Sequence, residues 1–190
     1  MVSWSDLLVP SLVSAVLVFI ASSLIHMVVR WHRSEYKTLP NEDAVRAAIN
    51  KSKPVPGKYV MPFCEDGKEM ATPEMQRKYV EGPNVVMYVR ENGAVQLGPF
   101  LGKWFAYSLV VSLVVAYLAR ATIAPGADYL HVFQVVGVAT WLAYAWAAPS
   151  DSIWMGKRWS STFVYMLDGL IYAAATAGAF AWLWPDGAAS

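Results

Sequence analysis

One carboxylate lies within an otherwise apolar part of the chain, and a carboxylate can pair with a cation or exchange a proton. Asp168 lies in the run Phe-Val-Tyr-Met-Leu-Asp-Gly-Leu-Ile-Tyr. A carboxylate in hydrocarbon is costly, so it normally faces a partner or a wet cavity. At helical spacing Asp168 shares a face with Tyr165 and Tyr172. This stripe predicts structural pairing between helices, a proton- or ion-linked role, or contact with a partner subunit.

Residues of other apolar segments are expected to lie at the same depth as this acid. Counted from the nearest segment ends, His26, Ser108, Tyr144 and Asp168 all fall about one and a half helical turns from the same membrane surface. We therefore expect an intramembrane polar cluster in which Asp168 pairs with His26. The hydroxyls of Ser108 and Tyr144 are expected to assist this pair, and Tyr165 and Tyr172 extend it along the helix.

The other polar patterns give no further candidate for catalysis. Cys64 is the only cysteine, which excludes an intramolecular disulfide and a cysteine-based metal cluster. The run His32-Arg33-Ser34-Glu35 lacks metal-ligand spacing and is interpreted as solvated surface outside the hydrocarbon. His131 is expected at the opposite membrane end from His26, so one chain is not expected to hold a haem between two histidines. The sequence predicts no metal and no cofactor.

A second candidate site is a short polar connection near the end of the third apolar segment. It places cations between tryptophans, a combination that favours anionic headgroups at a membrane surface. We interpret it as a contact site for lipid or a partner protein, with an ordinary interfacial turn as the alternative. Its residues are Asp151, Trp154, Lys157, Arg158 and Trp159.

The elements that carry these residues are four long apolar segments. The chain has 190 residues, of which 56% are hydrophobic and 15% charged, whereas soluble domains contain about 25% charged residues. About 20 apolar residues suffice to cross a bilayer as a helix. The sequence therefore predicts an all-α integral membrane protein with four transmembrane helices, at about residues 7–29, 100–120, 129–149 and 162–184. This composition excludes a soluble single-core enzyme and a disordered chain.

The segment between the first two apolar stretches is mixed in charge and is expected to fold as a small α/β insertion. Asn41 and Thr72-Pro73 are typical helix starts, which predict helices over Glu42–Asn50 and from Pro73 to about Val80. Asn92-Gly93 is a strong turn signal and predicts a hairpin near residues 84–97, with a further strand near 58–63. The expected organisation is a first transmembrane helix (1–30), the insertion (31–99) and a three-helix transmembrane region (100–190).

Basic residues predict the orientation of these segments. Among the 15 Lys and Arg, Arg120 alone falls on the side opposite to the two basic connections, and cytosolic loops are typically the basic ones. We therefore expect residues 31–99 in the cytosol and both termini on the non-cytosolic side. The expected location is the plasma membrane, which in a bacterium is the inner membrane.

These patterns favour a non-catalytic accessory or interaction subunit of a membrane complex. Recognisable catalytic motifs are absent from the sequence, and the insertion is too small to be expected to fold by itself. The expected partners are the lipid bilayer and either another protein or further copies of the chain. With a formal net charge of +1, no nucleic acid is expected. Two alternatives stay open: a small oligomeric transporter or channel that uses Asp168, and a membrane-embedded lipid-modifying enzyme.

Overall fold

A computed structural model describes residues 1–187 and divides the chain into two compact units. The first unit contains Met1–Tyr36 and the chain from Gln96 onward, and the second contains Lys37–Val95. The elements, in chain order, are α1 (Trp4–Leu24), α2 (Glu42–Lys51), β1 (Gly57–Met61), α3 (Pro73–Glu81), β2 (Val85–Val89), α4 (Leu97–Thr122), α5 (Tyr129–Ala145), α6 (Ala148–Met155) and α7 (Trp159–Trp182).

Four helical segments of the first unit are long and apolar enough to cross a membrane, which confirms the predicted four-helix architecture. The third segment is not one straight helix, because α5 ends at Ala145 and α6 begins at Ala148. Pro149 lies in the first turn of α6, where its missing backbone N–H leaves no hydrogen bond unmade. The four segments are Trp4–Val29, Leu97–Thr122, Tyr129–Met155 and Trp159–Trp182.

Small residues and hydroxyl groups hold the four-helix unit together. α7 packs against both α5 and α1, and α4 packs against α1 and α5. The buried hydroxyls of Ser14 and Ser112 hydrogen-bond to each other between α1 and α4. Gly169 of α7 lies so close to Ala145 of α5 that a Cβ added at Gly169 would be 2.8 Å from the Cβ of Ala145. Such close approach favours helix association in lipid, where apolar burial gives little net drive.

The second unit contains a two-stranded antiparallel sheet and two amphipathic helices. Both predicted helices form, as α2 and α3. The Thr72 hydroxyl accepts a hydrogen bond from the Met75 backbone N–H at the start of α3. Asn41 precedes α2 without a capping side-chain hydrogen bond.

The prediction of a hairpin near residues 84–97 is wrong, because its first strand pairs with a different partner. β2 pairs with β1, so that Tyr59 lies opposite Met87, and the return strand expected at residues 94–97 is not formed. Leu97 instead begins α4, and Pro99 suits the first turn of a helix. Because the apolar helix begins so soon after Asn92-Gly93, too few residues are left to form a returning strand.

The close contact at Gly169 predicts different responses of two glycines at the interface of α5 and α7. We expect Gly169→Ala to destabilise the protein by about 1–3 kcal/mol, because α5 must move to admit the methyl group. Gly137→Ala is the matched control, since its Cβ would lie 3.5 Å from that of Ala177, an ordinary separation. Thermal unfolding in a mild detergent measures both changes. Equal effects of the two substitutions would contradict this account of the interface.

Candidate functional site

The backbone at the end of α1 changes direction and brings a short polar segment back towards α7. A π-helical turn, Ile25–Val29, follows α1, and Arg30 then adopts a left-handed conformation with φ 57° and ψ 27°. A left-handed residue is a common way to end a helix and redirect the chain. The next residues form a 3₁₀ helix, Trp31–Glu35, which contacts α7.

The buried carboxylate of Asp168 receives both of its partners from this 3₁₀ helix. The indole Nε1–H of Trp31 donates to Oδ1 at 3.0 Å. The Nε2 atom of His32 lies 2.6 Å from Oδ2. Asp168 is only 3% exposed, so these contacts replace hydration that the carboxylate has lost.

His32 lies between two carboxylates. Its Nδ1 atom is 2.6 Å from Oε1 of Glu35, while its Nε2 atom contacts Asp168. The exposed fractions of these side chains are 7% for His32, 14% for Glu35 and 4% for Asp168. A doubly protonated imidazole would donate to both carboxylates at once. This arrangement makes His32 the centre of a buried ionisable triad.

Aromatic and cationic groups surround this triad. The His26 ring stacks on the His32 ring with a centroid distance of 4.8 Å, and the Tyr165 ring lies 4.7 Å from His32 on centroids. Lys157 places its Nζ atom 3.6 Å from the centroid of the Tyr165 ring. We call His26, Trp31, His32, Glu35, Tyr165 and Asp168 the acid–imidazole cluster.

The structure therefore brings Asp168, Tyr165 and His26 together, but it corrects the expected Asp168–His26 pair. His32 takes that position, and the Nδ1 atom of His26 lies instead 3.0 Å from the backbone oxygen of Ser22. The prediction that residues 32–35 are solvated surface is wrong for His32, which is buried, and for Glu35, whose side chain is 14% exposed, whereas Arg33 and Ser34 are exposed as expected. The prediction fails because a straight helix would place His32 beyond the end of the apolar segment. The change of chain direction at Arg30 instead brings the His32 side chain to Asp168.

The other residues of the predicted cluster lie in a neighbouring aromatic wall. Tyr144 and Tyr172 contact each other edge to face with ring centroids 5.3 Å apart, and both contact Trp104. Ser108 donates to the backbone oxygen of Trp104 at 3.0 Å. The hydroxyl of Ser108 thus supports the wall rather than the Asp168 carboxylate.

A cavity of about 520 Å³ lies beside this wall, within the first unit. Most of its lining is aromatic or aliphatic, including Met27, Leu101 and Trp104, while His26 and Asp168 are polar groups of the lining. A second cavity of about 330 Å³ is lined by cluster residues and by Arg30, Arg33 and Tyr36. His26 and Tyr165 line both cavities.

Residues of the predicted interfacial site divide between two environments. Trp154 is 78% exposed and Trp159 is 51% exposed, so both present aromatic surface to the surroundings. Asp151 lies in α6, and Arg158 immediately precedes α7. Lys157 alone among these residues reaches the acid–imidazole cluster, through Tyr165. Contact with lipid or a partner at this connection stays a prediction.

Comparisons of the chain with protein-family models, curated proteins and solved structures find no match. The geometry of the cluster and of the two cavities therefore carries the functional interpretation.

The pairing of Asp168 with His32 predicts strong energetic coupling between them. We expect Asp168→Asn and His32→Gln each to destabilise the protein by about 3–5 kcal/mol, because each leaves a buried partner uncompensated. The double variant should lose less than the sum, by at least about 1 kcal/mol. The free energy of unfolding in a denaturing-detergent titration measures this difference. Asp151→Asn, at an exposed acid, is the control expected to stay within about 0.5 kcal/mol of wild type. Additive losses would show that the pair is not coupled.

Proposed function

We propose that the protein binds a lipophilic molecule that enters laterally from the bilayer. The observation that supports this is the cavity of about 520 Å³, in which an extensive apolar wall meets a carboxylate and an imidazole. Pockets of about 300–1,000 Å³ with an apolar lining and a few convergent polar groups are typical of small-molecule sites. The apolar body of the molecule would lie in the cavity against its apolar lining, and its polar group would face His26 and Asp168.

The exposed lining of this cavity favours entry from lipid. Met27, Leu97 and Phe100 line the cavity and are each exposed at the surface of the unit. These residues lie near the ends of two candidate membrane spans, so their exposed sides would lie where the acyl chains meet the headgroups. A lipid or an isoprenoid-type molecule with a hydrogen-bonding headgroup fits this combination better than a fully water-soluble ligand.

Its four candidate spans make the chain a polytopic membrane protein. We further propose that it is a non-catalytic accessory or interaction subunit, which would hold the lipophile within a larger membrane assembly. The exposed tryptophans at positions 154 and 159, beside Lys157 and Arg158, support a contact with headgroups or a partner protein.

A second candidate function is proton or ion transfer through the cluster. His26 and Tyr165 line both the apolar and the arginine-containing cavity, so they would connect the two spaces. Ionisable side chains within membrane segments often form such relays. This alternative requires transport by the reconstituted protein that Asp168→Asn abolishes.

If the cavity binds a lipophile, a larger side chain in its lining should prevent the lipophile from co-purifying with the protein. Leu101→Trp places an indole in the cavity lining, whereas Leu118→Trp alters an exposed position on the same helix and serves as the matched control. We expect wild type and Leu118→Trp to purify with a defined lipophile, and Leu101→Trp to lose it by about tenfold or more, since the occupied volume excludes the ligand. Native mass spectrometry in mild detergent measures this occupancy. Indistinguishable lipid content in all three proteins would overturn the proposal.

The proposed orientation is testable at the single native cysteine, Cys64, in the second unit. Partial burial and the nearby Glu69 carboxylate raise the pKa of the Cys64 thiol above its ordinary value. The reactive thiolate is therefore scarcer at neutral pH, and labelling should accelerate as the pH rises.

If residues 31–99 are cytosolic, a membrane-impermeant maleimide should modify Cys64 in permeabilised but not intact cells.

A matched reporter on the opposite side of the membrane completes this experiment. Ser3→Cys in a Cys64→Ser background moves the only thiol to the exposed residue that precedes α1. We expect this thiol to react in intact cells. The reverse labelling pattern of the two proteins would show that the orientation is inverted.

A further inference from the structure

Three side chains of the acid–imidazole cluster offer ligand atoms at metal-binding separations. One atom each from His26, His32 and Asp168 lies within 4.8 Å of the other two. Two imidazoles and one carboxylate are a common ligand set for transition metals, with other coordination positions left open. We propose that these residues bind one divalent transition-metal ion, with Zn²⁺ as the representative ion.

Both histidines have the hydrogen bonds that metal-ligating histidines normally make. The Nδ1 atom of His26 lies 3.0 Å from the backbone oxygen of Ser22, and the Nδ1 atom of His32 lies 2.6 Å from Oε1 of Glu35. An Nδ1–H donated to these oxygens leaves the Nε2 lone pair of each ring for an ion. Such outer contacts set the tautomer and orientation of histidine ligands.

The carboxylate of Asp168 is oriented in the same way. Its Oδ1 atom accepts the indole hydrogen bond of Trp31, while its Oδ2 atom faces Nε2 of His32. Oδ2 is therefore the oxygen available to an ion that also contacts His32. Each of the three side chains thus has one atom held by a protein partner, which leaves its other ligand atom for an ion.

The charge balance of the cluster also favours a divalent cation. Within residues 1–187, the ion pairs formed by Asp168 and Glu35 are those with His32. An imidazolium would supply one positive charge between two largely buried carboxylates. A divalent ion with neutral imidazoles would instead match both negative charges, which lowers the cost of burying them.

Conversion of the hydrogen-bonded arrangement into a coordination site would move the His32 and Asp168 ligand atoms apart, and would turn the His26 ring out of its stack on His32 so that its free nitrogen approaches them. The Nε2 atom of His32 and Oδ2 of Asp168 are 2.6 Å apart, whereas bonds of about 2.0–2.2 Å in a tetrahedron place ligand atoms roughly 3.3 Å apart. The ion would take the place of the shared proton, which leaves as the site is filled. His26 is exposed, so at least one coordination position would face the cavities it lines.

The local backbone is what brings the two histidines together. In a straight α-helix, residues six positions apart point about 120° apart around the axis and lie about 9 Å apart along it, so His26 and His32 would not share a ligand. His26 instead lies in the π-helical turn, and the left-handed Arg30 redirects the chain before His32. Single π-helical turns occur frequently at functional sites.

This inference does not depend on lipophile binding, and a titration with Zn²⁺ alone tests it. The full chain is purified in mild detergent, stripped with a chelator, and titrated with Zn²⁺, with bound metal measured by elemental mass spectrometry. We expect one ion per chain for wild type. His26→Gln and Asp168→Asn should weaken binding by at least about 100-fold, and Glu35→Gln by about 10–100-fold because it removes an orienting contact.

His131→Gln provides the matched control. His131 is the third histidine of the chain, and it lies at the start of α5 with an exposed side chain. We expect it to bind Zn²⁺ as wild type does. An equal loss in His131→Gln, or full binding by His26→Gln, would overturn the proposal.

If the cluster variants do not fold, a measurement on wild type alone tests whether two histidines coordinate the metal ion. Pulsed electron paramagnetic resonance of the Cu²⁺-loaded protein should detect two coordinated imidazoles. Detection of one imidazole or none, or no stoichiometric Zn²⁺ binding by wild type, would overturn the proposal. Leu101→Trp should bind Zn²⁺ while lacking the lipophile, so failure of either proposal is recognised separately.

Discussion

Burial of the Asp168 carboxylate is the constraint on which the arrangement of the membrane unit depends. On insertion scales an unpaired carboxylate costs at least about 2.5 kcal/mol at the centre of a membrane helix, and the cost is smaller but still unfavourable about one to two turns from the surface, where Asp168 is expected. The chain meets this cost by ending α1 in a π-helical turn and a left-handed residue, which returns Trp31 and His32 to the carboxylate. Glu35 then contacts the opposite side of the His32 ring. The irregular backbone at the end of α1 is thus explained by a polar requirement of a different helix.

A feature could be predicted from the sequence when it depends on residues close together in the chain, and not when it depends on residues far apart. Hydropathy is a local property summed along the chain, so the four apolar segments were predicted correctly. Thr72-Pro73 likewise marks a helix start by local chemistry. Strand pairing depends on distant residues, and the hairpin predicted from Asn92-Gly93 therefore does not form. At the candidate site, register counting identified Asp168, Tyr165 and His26 but missed His32, because the left-handed Arg30 leaves no recognisable signal in the sequence.

The acid–imidazole cluster and the large cavity are best understood together. Few polar groups interrupt the apolar lining, and Asp168 and His26 are among them. In a medium of low dielectric, a hydrogen bond or ionic contact made there is stronger than the same contact in water. A single polar headgroup would therefore orient an otherwise apolar ligand. The same property would strengthen the contacts of the buried His32 and Asp168 with the proposed metal ion, while the exposed His26 leaves that ion accessible from the cavities.

The missing side chain at Gly169 would affect which ligands fit the proposed site. Gly169 follows Asp168 directly, lines the large cavity and contacts Ala145 of the adjacent helix. The boundary of the cavity at this point is therefore main chain, which has no alternative rotamer. Under the proposed function, a headgroup that approaches Asp168 would meet this fixed boundary, so its width would be limited by backbone atoms rather than by a side chain that could move aside.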